Sequence, residues 1–214
     1  MKKSTYLIVL IGFFLQSLPA WAGSYDDFFM AVRLDNPIAV RALLRRGFDP
    51  NTLDPNGTPA LIKALEEKSY KVAEVLTEHA QIQPDLVSLR DENALMLAAL
   101  RGQEDLIKRL LAKNAQVNKS GWTALHYAAT GGHAAIAAVL VRAGADLDAT
   151  SPNGSTPLMM AAMYGNSETV KLLLGAGADA SLRNQLELSA EDFARMAGRD
   201  DSLRIIRDHR SSTR

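Results

Sequence analysis

The chain has 214 residues, with 24 lysines and arginines set against 24 aspartates and glutamates, and no cysteine. A net charge of zero without a basic stripe excludes the electrostatic footprint of a nucleic-acid-binding protein. The missing thiols exclude disulfides, thiolate metal sites and a cysteine nucleophile, and suit an oxidising compartment.

Residues 1–22 are expected to be a cleaved leader. Lys2 and Lys3 form a positive start, Leu7 to Leu15 is an apolar run, Pro19 breaks it, and Ala20-Trp21-Ala22 is an A-x-A cleavage site. The rival reading, an uncleaved anchor, needs about 20 apolar residues to span a bilayer, and this run is shorter. No twin arginine and no cysteine at the cleavage point are present, so general secretion of an unlipidated chain is expected. The mature protein would start at Gly23, in a bacterial periplasm or secreted, with no membrane attachment after cleavage.

From Ser24 on, the chain repeats itself. The stretch GWTALHYAA beginning at Gly121 returns 33 residues later as GSTPLMMAA from Gly154, and both copies end in Gly-Ala-Asp, at Asp146 and Asp179. The slot held by Leu125 and Leu158 also appears at Phe28, Ala60 and Leu95, with a degenerate copy at Glu191, at intervals of 32, 35, 30, 33 and 33. Each of the five full copies then carries a paired apolar step and a turn: Leu43-Leu44 before Gly47, Val75-Leu76 before His79, Leu110-Leu111 before Asn114, Leu140-Val141 before Gly144, and Leu173-Leu174 before Gly177. Asn114 accepts a left-handed turn readily, whereas His79 suits one less well.

Within one copy, Thr156 caps a first helix and Pro157 takes its first position. Ala161 and Ala162 allow close helix approach, and Gly165 ends the helix. Val170, Leu173 and Leu174 then lie on one face of a second helix. Neither helix buries its apolar face alone, so stacking makes the core. In the second copy Lys63 stands where a small alanine is expected, so looser packing is predicted there. The stretch from Gln83 to Asp91 is read as an extra half-turn of helix, and the finger before Gly121 is about three residues short. Glu191 replaces leucine in the last copy, which suits an exposed cap face, and Ser189 with Asp192 resembles a capping box.

These residues resemble the ankyrin-repeat family across essentially the whole chain after the leader. The period and the T-P-L-H-x-A core are specific at the copies near Gly121 and Gly154, and spacing supports the others. The resemblance implies an all-α solenoid of helix–turn–helix units with short hairpin-like fingers. Repeats are expected at about 24–52, 53–87, 88–117, 118–150 and 151–183, then a cap at 184–210 and a frayed tail at 211–214. It is similar to small exported ankyrin-repeat proteins of Gram-negative bacteria. It implies a non-enzymatic module that binds a protein partner through the concave face and finger tips, without a cofactor and as a monomer. Carried onto this chain, that face holds Leu100, Arg101, Met163 and Tyr164 after the double-alanine positions, with Leu65-Glu66 as the pair in the second copy. Its fingers hold Lys119, Trp122, Asn153 and Ser155. Trp122, Tyr164, Met163, Leu100 and Arg101 would form an aromatic, methionine and arginine cluster of the kind enriched at binding hot spots. Alternatively, Trp122 folds back over its own finger, and Leu100 and Met163 pack between helices. Leu97, Tyr127 and Met160 are expected in the core.

Catalytic chemistry finds little support. His126 and His133 are histidines the repeat pattern supplies for its own frame, and no third histidine or cysteine stands near for zinc. No G-x-S-x-G elbow occurs, and the glycine pairs do not follow a strand. The remaining readings are an immunity protein, a protective accessory of a secreted enzyme, an exported effector, and, further off, an enzyme subunit.

Overall fold

The computed structural model describes residues 21–212. The basic start, apolar run and Pro19 of the expected leader lie outside them. Among the described residues there are twelve helices in six pairs. These are α1 (Trp21–Arg33) with α2 (Pro37–Arg45), α3 (Ala60–Glu66) with α4 (Tyr70–Glu78), and α5 (Ala94–Leu100) with α6 (Glu104–Ala112). The series continues with α7 (Ala124–Gly131) and α8 (Ala134–Arg142), α9 (Pro157–Met163) and α10 (Ser167–Ala176), and α11 (Ala190–Met196) and α12 (Asp200–Ser212). The odd-numbered, inner helices pack each on the next, and so do the even-numbered, outer ones. The result is the expected all-α stack of five repeats and a terminal pair. One apolar core runs from Phe28 to Ile206.

Small side chains set the spacing of the inner helices. Ala98, Ala99, Ala128, Ala129, Ala161 and Ala162 are all buried. Gly165 continues that close approach: a methyl group there would overlap the Ala129 carbonyl oxygen of the preceding repeat and lie 2.9 Å from that of Ala161. Both obstacles are backbone and do not rotate away. Gly165→Ala is therefore expected to destabilise the fold by about 1–3 kcal/mol. A urea titration checks this, and an unchanged midpoint would mean that α7 and α9 separate freely.

Local capping fixes where the helices start. Thr156 accepts from the Met159 amide at 3.4 Å, with Pro157 in the first turn, as expected. Asn36, Asn93 and Asn166 accept likewise from Ala39 (3.1 Å), Met96 (3.0 Å) and Thr169 (2.9 Å). Ser189 and Asp192 form the reciprocal box, and these Ser189 donors hold the Asp192 carboxyl down at about 2. Each cap satisfies an otherwise free amide and stabilises its helix by about 1 kcal/mol. At the turns, Asn114 takes a left-handed φ of 60°, whereas His79 stays extended.

The second repeat corrects the sequence register by one residue. Pro59, and not Thr58, occupies the cap position of α3, and its bridge to Leu53 matches those of Asn93 to Val87 and Ser189 to Arg183. The slot of Leu125 is thus filled by Leu61 rather than Ala60. The alanine slot is filled by Ala64, fully buried, so packing there is not loosened. Lys63 instead shares the position of Leu97 and Tyr127, and the terminal pair is Glu66-Glu67 rather than Leu65-Glu66. The T-P pair misled because proline fits both the cap and the first helical position.

Four fingers close in the same way. The amide at each first position donates to the carbonyl four residues on: Asp54 to Thr58 at 2.8 Å, Ser88 to Glu92 at 2.9 Å, Ser151 to Ser155 at 3.0 Å and Asn184 to Leu188 at 3.0 Å. The stretch from Gln83 to Asp91 is therefore a hairpin finger and not a half-turn of helix, with Asp91 taking a left-handed φ of 60° at the tip. The shortened third finger lacks that closing bond among the described residues. A recurring side-chain bond also laces each finger segment to the next. Asn51, Asp85, Asn118 and Asp148 accept from the amides of Gln83 (2.8 Å), Gln116 (2.8 Å), Asp146 (2.9 Å) and Asp179 (3.0 Å).

The C-terminal pair differs from the expected cap in two respects. Glu191 is not an outward solvent face. It lies between α11 and α12, bound by Arg195 and Arg207 (2.9 Å each) and Arg210 (3.1 Å), with Arg207 foremost in holding its carboxyl below the usual range. Helix α12 also continues to Ser212, into the expected frayed tail at 211–214.

Candidate binding surface

The fingers and inner helices together expose two rows of side chains. The first row lies at the finger end. Glu92 closes the second finger and accepts the Tyr127 hydroxyl from α7 at 2.8 Å. Arg90 donates to Glu92 at 2.7 Å and to Glu66 at 2.8 Å, and Lys63 pairs with Glu67 at 2.8 Å. Trp122, closing the third finger, stands edge-on to Tyr127 at 6.4 Å between ring centroids and to His126 at 5.3 Å. Burial, and then the Glu92 carboxylate, push the Tyr127 phenol far above its ordinary range, so it remains a hydrogen-bond donor.

The second row lies at the far ends of the inner helices. Here stand Glu66 and Glu67, Leu100 and Arg101, Thr130 and Gly131, Met163 and Tyr164, and Met196. Arg101 and Tyr164 follow the last residues of α5 and α9 as exposed caps, and Tyr164 is 56% accessible. Met196 is exposed on α11, which packs against α9. Seven helical residues, about 10 Å, separate the rows. The five residues expected as one cluster are therefore divided: Trp122 belongs to the finger row, and Leu100, Arg101, Met163 and Tyr164 to the other.

Several expected site residues are placed differently from the expectation. Ser155 is fully buried, its carbonyl bound to His126 and its hydroxyl accepting from Asn184 at 3.3 Å, so no partner reaches it. Lys119 has a largely covered side chain and is tied to Asp91 instead of standing free at a tip. Trp122 is half-buried and packs on residues of its own repeat, as in the fold-back alternative. Leu100 and Met163 are half-buried too. Asn153 is exposed, and its side chain closes its own finger by accepting from Ser151 at 2.6 Å. Leu97 and Met160 are core as expected, but Tyr127 is only half-buried and faces Glu92.

Sequence reasoning missed Leu89, Arg90, Glu92, Leu186 and Met196. Leu89 and Leu186 are finger-tip side chains, 87% and 74% accessible. The available signal was Asp91 standing where the first, third and fourth fingers carry a tip glycine, as Glu187 does in the last. A helical reading of that stretch concealed it.

The two histidines are parts of the frame. The Ser155 carbonyl can only accept, so it fixes the proton of His126 on Nε2, 3.0 Å away, and Nδ1 accepts from the Thr123 amide at 3.2 Å. His133 donates through Nε2 to the Leu100 carbonyl at 3.1 Å, joining two repeats. Among the described residues, no three of the histidines, aspartates and glutamates gather to hold a metal ion, and no helix is long and apolar enough to cross a membrane.

A family model described as "Ankyrin repeats (3 copies)" matches residues 28–120, 95–185 and 140–210. The chain is 35% identical over 111 residues to the rat protein "Ankyrin repeat and SAM domain-containing protein 6", a match covering 50% of this chain and 12% of that protein. It is 39% identical over 67 residues to human "Protein phosphatase 1 regulatory subunit 27", covering 30% of this chain and 44% of that one. The chain thus spans less than half the length of either relative. Among solved structures, an ankyrin repeat domain from Acinetobacter baumannii superposes with a TM-score of 0.72 at 24% identity, covering 84% of this chain and 95% of that domain. That likeness is one of fold.

Proposed function

We propose that this chain, which belongs to the ankyrin-repeat family, is exported and binds a protein partner through its concave face, without catalysing a reaction itself. The supporting observation is the pair of uncovered apolar side chains at the ends of α9 and α11, Tyr164 and Met196, with half-buried Met163 beside them, next to a finger row whose charges already satisfy one another. Apolar and aromatic groups left in water on a rigid surface give affinity when covered, whereas paired surface ions give orientation more than energy. The leader at residues 1–22 supports export to a periplasm or beyond. Immunity, enzyme-protection and effector roles share this surface and differ only in the partner.

The test is comparative capture from the envelope fraction on immobilised wild-type protein and on Tyr164→Ala. Tyr164 is an exposed cap residue, so its loss should leave the melting temperature within about 1–2 °C while weakening capture about tenfold or more. Equal capture by both proteins would remove the second row from the binding face. Intact mass of the exported protein should place its first residue at Gly23, and an unprocessed N-terminus would reject the leader.

A further inference from the structure

The second row divides by charge along its length. In the second repeat it holds Glu66 and Glu67, and both are already bound, Glu66 by Arg90 and Glu67 by Lys63 at 2.8 Å each. Beside them stand two cations without a counterion. Arg101 is the exposed cap of α5, and Lys68 is exposed in the turn just past α3, the inner helix that packs on α5. No ion pair engages either of them among the described residues. Lys68 also holds a left-handed φ of 60°, where the third, fourth and last repeats have Gly102, Gly132 and Gly198. A side chain makes that conformation costly. Asp35 shares it in the first repeat, and there the carboxylate accepts the Val72 amide of the next repeat at 2.9 Å. Lys68 makes no such side-chain bond among the described residues, so its ammonium is left for a group outside the chain. The fourth repeat then leaves a gap. Gly131 stands where the neighbouring repeats carry Arg101 and Tyr164, and a methyl group there would lie 2.5 Å from the His133 ring and 3.0 Å from the Leu100 carbonyl oxygen. The adjacent Thr130 hydroxyl donates to the His126 carbonyl of its own helix at 2.9 Å. Beyond the gap come Tyr164 and Met196, both exposed.

We infer that the partner presents an extended acidic–apolar segment to this row. Its carboxylates meet Lys68 and Arg101, unselected residues cross the gap over Gly131, and an apolar side chain covers Tyr164 and Met196. A row with unpaired positive charge at one end and uncovered apolar surface at the other is complementary to that order and to no other. The spacing follows from the fold. Packed helices lie about 8–10 Å apart, so Arg101 and Tyr164, two repeats apart, are separated by roughly 16–20 Å. An extended chain rises about 3.3 Å per residue, which sets the apolar anchor about five or six positions from the carboxylates. The inference rests on the second row being the binding face and adds the chemistry of what that face takes.

Fluorescence anisotropy with synthetic peptides and the protein purified from cells expressing the full chain tests it. The probe carries two glutamates, a serine–glycine spacer of about five residues and a leucine–phenylalanine pair, and is made in both chain directions. Saturable binding is expected in one direction, weaker at raised salt. The double variant Lys68→Glu, Arg101→Glu should bind about tenfold or more weakly, and so should Tyr164→Ala. Both cations are exposed, so the melt of the double variant should stay within about 1–2 °C of wild type. A probe with lysines in place of the glutamates should prefer the double variant. No binding in either direction overturns the inference. So does binding by wild type that survives glutamines in place of the glutamates or a one-residue spacer, neither of which depends on any variant folding. Equal capture of envelope protein by wild type and Tyr164→Ala would remove the binding face itself. Capture that Tyr164→Ala weakens and the double variant leaves unchanged keeps that face and overturns its acidic partner.

Discussion

Replacing His126 with leucine is expected to lower the unfolding free energy by about 2–4 kcal/mol. Leucine fills most of the volume but bonds nothing. It leaves the buried Thr123 amide without its imidazole acceptor, at about 1–3 kcal/mol, and strips the Ser155 carbonyl of one of its two bonds, the other being from the Ser151 amide, at about 1 kcal/mol more. The loss reaches two repeats, because this ring links the start of α7 to the finger before α9. A second signature follows from the titration. Burial holds the His126 imidazole below its ordinary value, so the unfolded chain takes up a proton there before the folded chain does. The stabilisation is complete above about pH 6.5 and falls as pH drops from there toward the lowered folded value, by up to about 1.4 kcal/mol per pH unit from this one group. Urea titrations between about pH 7.5 and 5 should show that fall in the wild type and lack most of it in His126→Leu. Parallel slopes in the two proteins would show that the imidazole is not the group being protonated.

Trp122→Ala is the second large effect, and it acts on stability before it acts on binding. The ring is half-buried and packs edge-on against both His126 and Tyr127. Full burial of a tryptophan is worth about 3–5 kcal/mol on truncation to alanine, and this half-covered ring should cost about 2–3. Among the described residues the third finger has no closing hydrogen bond of the kind seen in the other four, so this packing helps to hold it, together with Lys119 on Asp91 and Asn118 on the Gly144 carbonyl. Thermal melts should show a clear drop for Trp122→Ala and a small one for Trp122→Phe, which keeps an edge-on aromatic contact. If alanine left the melt unchanged while capture collapsed, the ring would be a contact residue alone. The consequence for binding work is direct. Tyr164, standing free at the end of α9, separates affinity from stability, and Trp122 does not.

Glu92 explains why the finger row contributes orientation. It takes the Tyr127 hydroxyl and the Arg90 guanidinium together, and Arg90 passes on to Glu66. A partner approaching this row meets charges already neutralised and directed. The apolar second row and the leucines at the tips of the second and last fingers remain unsatisfied by the chain itself.

What the sequence by itself determined is everything carried by neighbours three to five residues apart. The cap residues Thr156 and Ser189, the proline at the first helical position, Asn114 at its turn and the helical spacing of Val170, Leu173 and Leu174 are local signals, and they set the helices and the period. The role of His126 and His133 in the frame was also legible, because the repeat places them. Only the tertiary structure decided which side chains remain open. Ser155 and Asn153 are two residues apart in one finger, yet the first is sealed by His126 from the preceding repeat and Asn184 from the next. Tyr127 has the same local pattern as Leu97, and it faces the groove because Glu92, 35 residues earlier, offers an acceptor. Glu191 is a bound ion and not a free one because α12 returns two arginines, Arg207 and Arg210, to join Arg195 of its own helix. Burial in a solenoid is settled about 30 residues away along the chain, by the repeat on either side, and no window of local sequence contains that information.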